Sequence, residues 1–118
     1  MTTQEVATRL YELCDENKPA QAHEELYDAN ATSTERNMAG QLETVTGMDA
    51  ITEKGKKFEA MIEEIFSGYT KEPFVFGNYI FMEMGMDVKM KGMGRMDMKE
   101  MCMYEVKDGK IISEQFYY

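Results

Sequence analysis

The chain has 118 residues, of which 43% are hydrophobic and 30% are charged. These values are typical of one folded domain and argue against a disordered chain, so we expect a single domain over residues 1–118. Acidic side chains outnumber basic ones by 22 to 13, which gives a formal net charge of −9. Because such a charge repels phosphate backbones and anionic lipid headgroups, it argues against nucleic-acid and membrane partners.

The sequence also lacks the signals of export. It has no run of roughly 18 apolar residues, and Met1–Val6 shows neither a basic cluster nor an apolar stretch. Its two cysteines, Cys14 and Cys102, are far apart and form no C-x-x-C pair. We therefore expect reduced thiols and a cytoplasmic protein.

The first part of the chain predicts two short helices. Apolar residues at three-to-four spacing predict a helix over Thr3–Asn17, for which Thr2 or Thr3 is a suitable N-cap. Pro19 is favoured in the first turn of a helix, so we predict a second helix over Ala20–Asp28.

The middle of the chain predicts a strand, a loop and a long helix. The Thr- and Ser-rich segment Ala31–Arg36 predicts a short strand. The segment Asn37–Gly47 has no hydrophobic period, so we predict a long loop there. From Met48 to Tyr69 the apolar residues recur at helical spacing, with Gly68 near the end, which predicts the longest helix of the chain.

After Pro73 the hydrophobic period changes from 3.6 to 2. The segments Asn78–Lys91 and Gly94–Lys107 both carry apolar residues at even-numbered positions, which predicts two long strands with one buried face each. Joined by a three-residue loop, Lys91–Met93, the two strands pair even positions with even positions. A two-residue loop would expose the methionines, because a slip of one residue turns every side chain over.

This loop length predicts specific neighbours. It places Val88 beside Met96, and Met82 beside Cys102.

A hairpin turn at Asp108–Gly109 predicts a last strand over Lys110–Tyr118, whose register stays open. A two-residue turn directs Ile111, Ser113, Gln115 and Tyr117 inward. A turn with a glycine bulge directs Ile112, Glu114, Phe116 and Tyr118 inward. The order of elements, helices followed by an antiparallel meander, predicts an α+β fold.

Glu100 is the strongest candidate for chemistry. It lies on the apolar face of its strand, between Met98 and Cys102. A carboxyl group in such surroundings is desolvated, which disfavours its charged form and suits a general acid or base. The alternative is a core acid whose hydrogen bonds are satisfied within the fold.

Three further ionisable residues are secondary candidates. Glu35 points inward if Ala31 does, and Glu114 points inward only in the bulged register. His23 can touch the inner face of the second helix, although its position beside acidic neighbours also fits a solvated residue. No phosphate-binding loop, nucleophile elbow or zinc signature is present, so we expect neither a cofactor nor a metal site.

Nine of the 13 methionines lie between Met82 and Met103, mostly at alternate positions. Clustered thioethers can bind Cu(I), but alternate positions of a strand are also where a sheet places its core or an adaptable apolar pocket. We favour core or pocket lining and keep copper binding as the alternative. The candidate ligand-binding residues share an inward apolar or hydroxyl side chain: Tyr11, Phe58, Ile62, Met82, Met84, Met98, Cys102 and Tyr104.

On the opposite face, Met101 and Met103 lie with Phe81 and with either Phe116 or Tyr117. An apolar patch on the outer face of an open sheet is typical of a subunit contact, so we predict a homodimer that pairs through its sheets.

Three stretches in this order carry a family resemblance: EELYDANA at Glu24–Ala31, GMDAI at Gly47–Ile51 and YEVKDGKI at Tyr104–Ile111. The whole chain resembles the SnoaL-like branch of the nuclear-transport-factor-2-like superfamily. The resemblance implies a cystatin-like cone, in which a curved antiparallel sheet wraps around three helices and encloses a pocket. It also implies pairing through the sheets.

The superfamily includes polyketide cyclases, ketosteroid isomerase, scytalone dehydratase and limonene epoxide hydrolase, and also members that only bind or scaffold. By this resemblance Glu100 corresponds to a pocket acid on a late strand, Tyr11 to the isomerase's first-helix tyrosine, and Glu35 lies near the strand of its base. The epoxide hydrolase's Asp-Arg-Asp arrangement is absent, because Arg95 and Asp97 fall on the outer face. His23 alone does not supply the histidines of the dehydratase.

We therefore expect a pocket protein for a small apolar molecule. As an enzyme it would catalyse isomerisation, cyclisation or dehydration, with Glu100 as acid or base, Glu35 or Glu114 as partner, and Tyr11 or Tyr104 as donor. The alternative is a non-catalytic binding or dimerisation module.

Overall fold

The computed structural model describes residues 1–118, which form three helices and seven strands. The helices are α1 (Thr3–Asp15), α2 (Pro19–Leu26) and α3 (Met48–Met61). The strands are β1 (Tyr27–Arg36), β2 (Leu42–Thr46), β3 (Ile62–Thr70), β4 (Phe74–Phe76), β5 (Tyr79–Met90), β6 (Gly94–Lys107) and β7 (Lys110–Tyr117). The predicted α+β class is confirmed.

The first two helices begin at the signals that the sequence offers. The Thr2 side chain accepts a hydrogen bond from the Glu5 backbone N–H, and the Glu5 carboxylate accepts one from the Thr2 N–H, which together form a capping box. Helix α2 has Pro19 in its first turn, where a missing N–H costs nothing. It ends at Leu26, two residues before the predicted end, because β1 begins at Tyr27.

The sheet is curved and does not close into a barrel. Its order is β2-β1-β7-β6-β5-β3, and the short β4 pairs with β5 beside this path. All neighbours are antiparallel except β1 and β7, which are parallel. We call the face that packs against the helices the inner face, and the opposite face the outer face.

The predicted pairing of the two long strands is confirmed. Val88 lies opposite Met96 and Met82 lies opposite Cys102, with residues 91–93 as the connecting loop. Even-numbered residues of β5 and β6 therefore share the inner face.

The last strand combines both registers that the sequence left open. The two-residue turn Asp108–Gly109, in which both residues have positive φ, pairs Val106 with Ile111. The register then shifts by one residue at Ile112, so that Glu114 lies opposite Tyr104. Ile111 and Glu114 are consequently both buried, although they are three residues apart.

The predicted loop over residues 37–47 is wrong in its second half. A turn at Asn37–Gln41, closed by hydrogen bonds to the Asn37 side chain, leads into β2, which pairs with β1. The side chains of β2 are largely exposed on both faces. The strand therefore shows no hydrophobic alternation in the sequence.

The long predicted helix is also wrong beyond Met61, where the chain enters edge strand β3. Irregular pairing with β5 places Ile62 opposite Met90 and Ile65 opposite Val88. Four residues of β3 thus face three of β5, so that both isoleucines share the inner face. The bulge reproduces the spacing of a helix, which is why the periodicity indicated one.

The hydrophobic core lies between α1, α2 and the inner face of β5, β6 and β7. Helix α1 contributes Val6, Leu10 and Leu13, which are at most 1% exposed. The sheet contributes Ile80, Met82, Cys102, Tyr104, Val106 and Ile111.

None of the helices has the length and apolar character needed to cross a bilayer.

Candidate functional site

Beside the core, the inner face carries a set of polar side chains that contact one another or influence one another electrostatically. We call it the inner cluster: Tyr27, Ser33 and Glu35 of β1, Lys54 of α3, Glu100 of β6, Glu114 of β7, and Tyr118. All three carboxylates that the sequence singled out belong to it.

Glu114 is the most enclosed carboxylate of the inner cluster, at 4% exposure. The Tyr27 hydroxyl donates to one of its oxygens, and the Ser33 hydroxyl donates to the other over 2.7 Å. Glu114 thus accepts a hydrogen bond at each of its two carboxylate oxygens. The bulge at Ile112 is what turns Glu114 toward these donors.

Lys54 reaches the inner cluster from α3. It lies one turn after the buried Ile51, on the side of the helix that faces β1. Its ammonium group is 2.6 Å from a Glu35 carboxylate oxygen and donates to the Ser33 hydroxyl over 2.7 Å. It also lies 5.4 Å from the centre of the Phe116 ring, within the range of a cation–π contact.

Glu35 is held from two sides. Besides the Lys54 ion pair, it accepts a hydrogen bond of 3.1 Å from the Tyr118 hydroxyl, which also contacts the Arg36 carbonyl oxygen at 2.5 Å. The last residue of the chain thus joins β1 at its end. Burial, with the nearby Glu35 charge, raises the pKa of Tyr118 to about 12, so this phenol stays protonated.

Glu100 differs from the other two carboxylates. Its one hydrogen-bond partner is the Cys102 thiol at 3.6 Å, a weak donor. It lies opposite Met84 and is only partly buried. Partial burial raises the pKa of Glu100, and the charges of Glu35 and Glu114 raise it further, against the opposing effects of Cys102 and Lys54.

Two residues of the helices adjoin this cluster. Burial lowers the pKa of His23, against the opposing charge of Glu114, and its ring meets Tyr27 edge-on with centres 4.7 Å apart. A neutral imidazole is therefore favoured. Burial also raises the pKa of Cys14 to about 11, with Glu114 and Glu100 contributing, so its thiol stays protonated.

The predicted ligand-binding residues divide into three groups. Met82, Cys102 and Tyr104 are at most 3% exposed and belong to the core, with Tyr11 partly buried against it. Met84, opposite Glu100 on β5, and Met98, two residues before it on β6, are partly buried on the inner face. The remaining two lie toward the β3 edge, where Ile62 is partly buried and Phe58 is 39% exposed on α3.

Two surface grooves lie away from the inner cluster. One, of about 520 Å³, runs between the N-terminus and the β6–β7 turn. The other, of about 530 Å³, lies on the outer face beside Phe74, Phe81 and Met101. No three His, Cys, Asp or Glu side chains lie close enough together to hold a metal ion.

Of the residues in the inner cluster, the sequence prediction missed Lys54, and it directed Tyr118 inward only in the bulged register. A signal existed for Lys54, which is spaced three residues after Ile51 and four before Phe58 on the apolar stripe of its helix. Ser33 shares a face with Ala31, so its burial follows once that face is known. Nothing in the sequence indicates that Tyr118 returns to β1.

Three helices on the inner face of a curved seven-stranded sheet, with a polar cluster at their junction, define an α+β cone of the cystatin-like type. The model of the SnoaL-like domain family matches residues 1–118, the whole chain. The protein belongs to the SnoaL-like domain family, as the resemblance in its sequence predicted.

Solved structures agree with this assignment. The chain is 32% identical to a provisionally assigned SnoaL-like polyketide cyclase from Mesorhizobium loti, with a TM-score of 0.90 and full coverage of both chains. A Catenulispora acidiphila protein with a ketosteroid isomerase-like fold, solved with trimethylamine, is 22% identical with a TM-score of 0.72 over 99% of this chain and 87% of that one. A Xanthomonas campestris protein with a cystatin-like fold is 12% identical, with a TM-score of 0.77 over 99% and 90%. No curated protein sequence matches the chain.

Proposed function

We propose that this protein binds a small, largely apolar molecule on the inner face, and that Glu100 transfers a proton next to a carbonyl group of that molecule without a cofactor. The observation that carries the proposal is the contrast among three neighbouring carboxylates. Glu35 and Glu114 each receive hydrogen bonds from nitrogen or oxygen donors, whereas Glu100 receives one only from a thiol. Membership of the SnoaL-like family and the similarity to a provisionally assigned polyketide cyclase support it.

The surroundings of Glu100 suit an acid–base group. The raised pKa of Glu100 lies closer to neutral pH, and a group whose pKa is near the working pH both accepts and returns a proton effectively. The half-buried thioethers of Met84 and Met98 give the bound molecule an adaptable apolar wall. Glu35 and Glu114 supply a fixed negative environment, because their own donors hold them in place.

The proposed step is an enolisation. The Glu100 carboxylate accepts a proton from the carbon next to the carbonyl, and the electrons of the broken C–H bond move into the enolate. If the enolate is conjugated with a C=C bond, the protonated Glu100 returns the proton to the far carbon, which gives isomerisation. Alternatively the enolate carbon attacks a second carbonyl, whose π electrons move to its oxygen, and that oxygen takes the proton back from Glu100, which gives cyclisation. Tyr11 is the better placed of the two predicted donors for the enolate oxygen, since Tyr104 is 3% exposed.

Native mass spectrometry of the protein as purified tests the binding part. An organic adduct supports the proposal and identifies the chemical class of the ligand. A copper adduct would instead favour the alternative that the methionines bind metal.

Deuterium exchange tests the catalytic part. The α-hydrogens of an apolar ketone such as β-tetralone are followed by proton NMR in D₂O with wild-type protein, Glu100→Gln, and the control Glu105→Gln, which makes the same change on the outer face of the same strand. We expect wild type and Glu105→Gln to accelerate exchange equally, and Glu100→Gln to fall to the background rate. Equal exchange with all three proteins would remove Glu100 from the mechanism.

A second candidate function is a non-catalytic, homodimeric module, which a patch on the outer face favours. The outer patch comprises exposed apolar side chains: Phe74 (65%), Phe76 (69%), Tyr79 (37%), Met101 (40%) and Tyr117 (48%). Such a continuous patch is typical of a subunit contact, so we also propose that two copies pair through it.

Both cysteines are free thiols, which supports a cytoplasmic location as part of this proposal.

Light scattering after size-exclusion chromatography tests the pairing. We expect a dimer for wild type, a monomer for Phe74→Glu, and a dimer for the control Met38→Glu, which changes a residue that is 93% exposed in the β1–β2 turn. A monomeric wild type would overturn it.

A further inference from the structure

Lys54 is the one basic residue of the inner cluster, and it contacts two of its members, Glu35 and Ser33. It lies in ion-pair contact with Glu35 at 2.6 Å and donates to Ser33 at 2.7 Å. Ser33 in turn donates to Glu114 at 2.7 Å. One ammonium group is therefore linked to two carboxylates, directly to the first and through a buried hydroxyl to the second.

The hydrogen bonds lead from Lys54 and Tyr27 toward the carboxylates. An ammonium group only donates, so Ser33 must use its own hydrogen for Glu114. The Tyr27 hydroxyl donates to Glu114 from the other side. Each of these chains of hydrogen bonds thus ends on a carboxylate oxygen, of Glu35 or of Glu114.

We propose that Lys54 is a positioning residue, which holds Glu35 directly and Glu114 through Ser33, so that Glu100 is the carboxyl group that exchanges a proton with a bound molecule. Two of the three ammonium donors of Lys54 are directed at Glu35 and Ser33, which sets the position of both side chains. This role rests on the proposed function. It adds that Lys54 is the group that makes Glu100 differ from Glu35 and Glu114.

The electrostatics give Lys54 a measurable effect on Glu100. The ionisable groups that influence Glu100 come from four elements: Glu35 of β1, Glu114 of β7, Cys102 of β6 and Lys54 of α3. Lys54 alone among them is cationic. Without its charge, Glu100 would face two carboxylates with nothing to offset them, and its pKa would rise further.

A purely structural role makes a different prediction. If Lys54 merely attaches α3 to β1, then its loss lowers thermal stability and leaves the titration of Glu100 unchanged. The pKa of Glu100 separates the two roles, since stability falls in both cases.

Carbon-13 NMR of the glutamate carboxyl groups provides the test, with the Glu100 signal assigned by its loss in Glu100→Gln. We expect Lys54→Met to raise the pKa of Glu100 by roughly 0.5 to 1, and Lys54→Arg, which keeps the charge, to leave it within about 0.2 of the wild-type value. The control Lys57→Met removes the same charge from an exposed position of the same helix and should have no effect.

An unchanged Glu100 titration in Lys54→Met, or a failure of Lys54→Arg to restore it, would overturn the proposal. If Lys54→Met does not fold, Lys54→Gln takes its place, because it loses the charge but can still donate to Ser33. The titration needs no substrate, so it can fail while wild type still exchanges deuterium. If wild type does not accelerate deuterium exchange above the background rate, the proposed function is overturned instead.

Discussion

Replacing Glu114 by glutamine tests the hydrogen bonds at the centre of the inner cluster. Glutamine has nearly the same shape but only one acceptor oxygen, and its second terminal group is an amide NH₂ that donates. Since Tyr27 and Ser33 both donate to Glu114, one of the two hydroxyls would then face another donor. The site is buried, so water cannot easily relieve this conflict.

The structure allows the cost to be estimated. A hydrogen bond to a charged group contributes about 1.5–3 kcal/mol, and a buried donor left without an acceptor costs about 1–3 kcal/mol. We therefore expect Glu114→Gln to lower the free energy of unfolding by about 3–5 kcal/mol. Because domains of this kind are stable by about 5–15 kcal/mol, the variant should still fold.

Urea denaturation followed by circular dichroism is the suitable assay, since the chain contains no tryptophan. The denaturant slope should not change. Tyr27→Phe removes the donor that glutamine cannot accept, so the double variant Tyr27→Phe/Glu114→Gln should lose about 1–2 kcal/mol less than the sum of the single variants. A loss below about 1 kcal/mol for Glu114→Gln, or additive losses, would refute the assigned hydrogen bonds.

Three further predictions concern pH and packing. The pKa of Glu100 is raised above its ordinary value of 4.5, so the folded chain binds this proton more tightly than the unfolded chain does. The resulting stabilisation is fully present below pH 4.5 and is lost as the pH rises through the pKa of the folded state. Glu100→Gln should thus melt higher than wild type at pH 7, with the difference shrinking toward pH 4. The pKa of His23 is lowered from 6.5, so the unfolded chain binds a proton at this histidine at a higher pH than the folded chain does. The free energy of unfolding therefore falls as the pH drops below 6.5. In the same melts, His23→Gln should lose less stability than wild type between pH 7 and pH 5. In urea titrations, Met82→Ala should cost about 2–5 kcal/mol because Met82 fills the core, whereas Met38→Ala in the exposed β1–β2 turn should change stability by less than about 0.5 kcal/mol. Equal losses would contradict the core position of Met82.

The hairpin of β5 and β6 could be predicted in register because everything that fixes it is local. The two strands alternate with a period of 2, and a short glycine-containing loop connects them. The opposing residues therefore follow from counting outward from Lys91–Met93. Glu100 was placed on the inner face by the same count.

Edge strand β3 could not be predicted, because its pairing partner comes later in the chain. Its bulges give Ile62 and Ile65 the spacing of a helix while both contact β5. The distinction between the two structures depends on a neighbour that the local pattern does not contain. The same reason applies to β2, which is exposed on both faces and is a strand only because β1 lies beside it.

The sequence by itself determined the α+β class, the family, the inner face of the two long strands and the desolvated position of Glu100. These properties depend on periodicity and on turns, which act over a few residues. Tertiary structure alone decided that Glu35 and Glu114 receive hydrogen bonds from nitrogen or oxygen donors and that Glu100 receives one only from a thiol. Ser33, Lys54 and Glu114 lie on three different elements, and hydrogen bonds of 2.7 Å between them exist only after α3 has packed against β1 and the bulge in β7 has turned Glu114 inward.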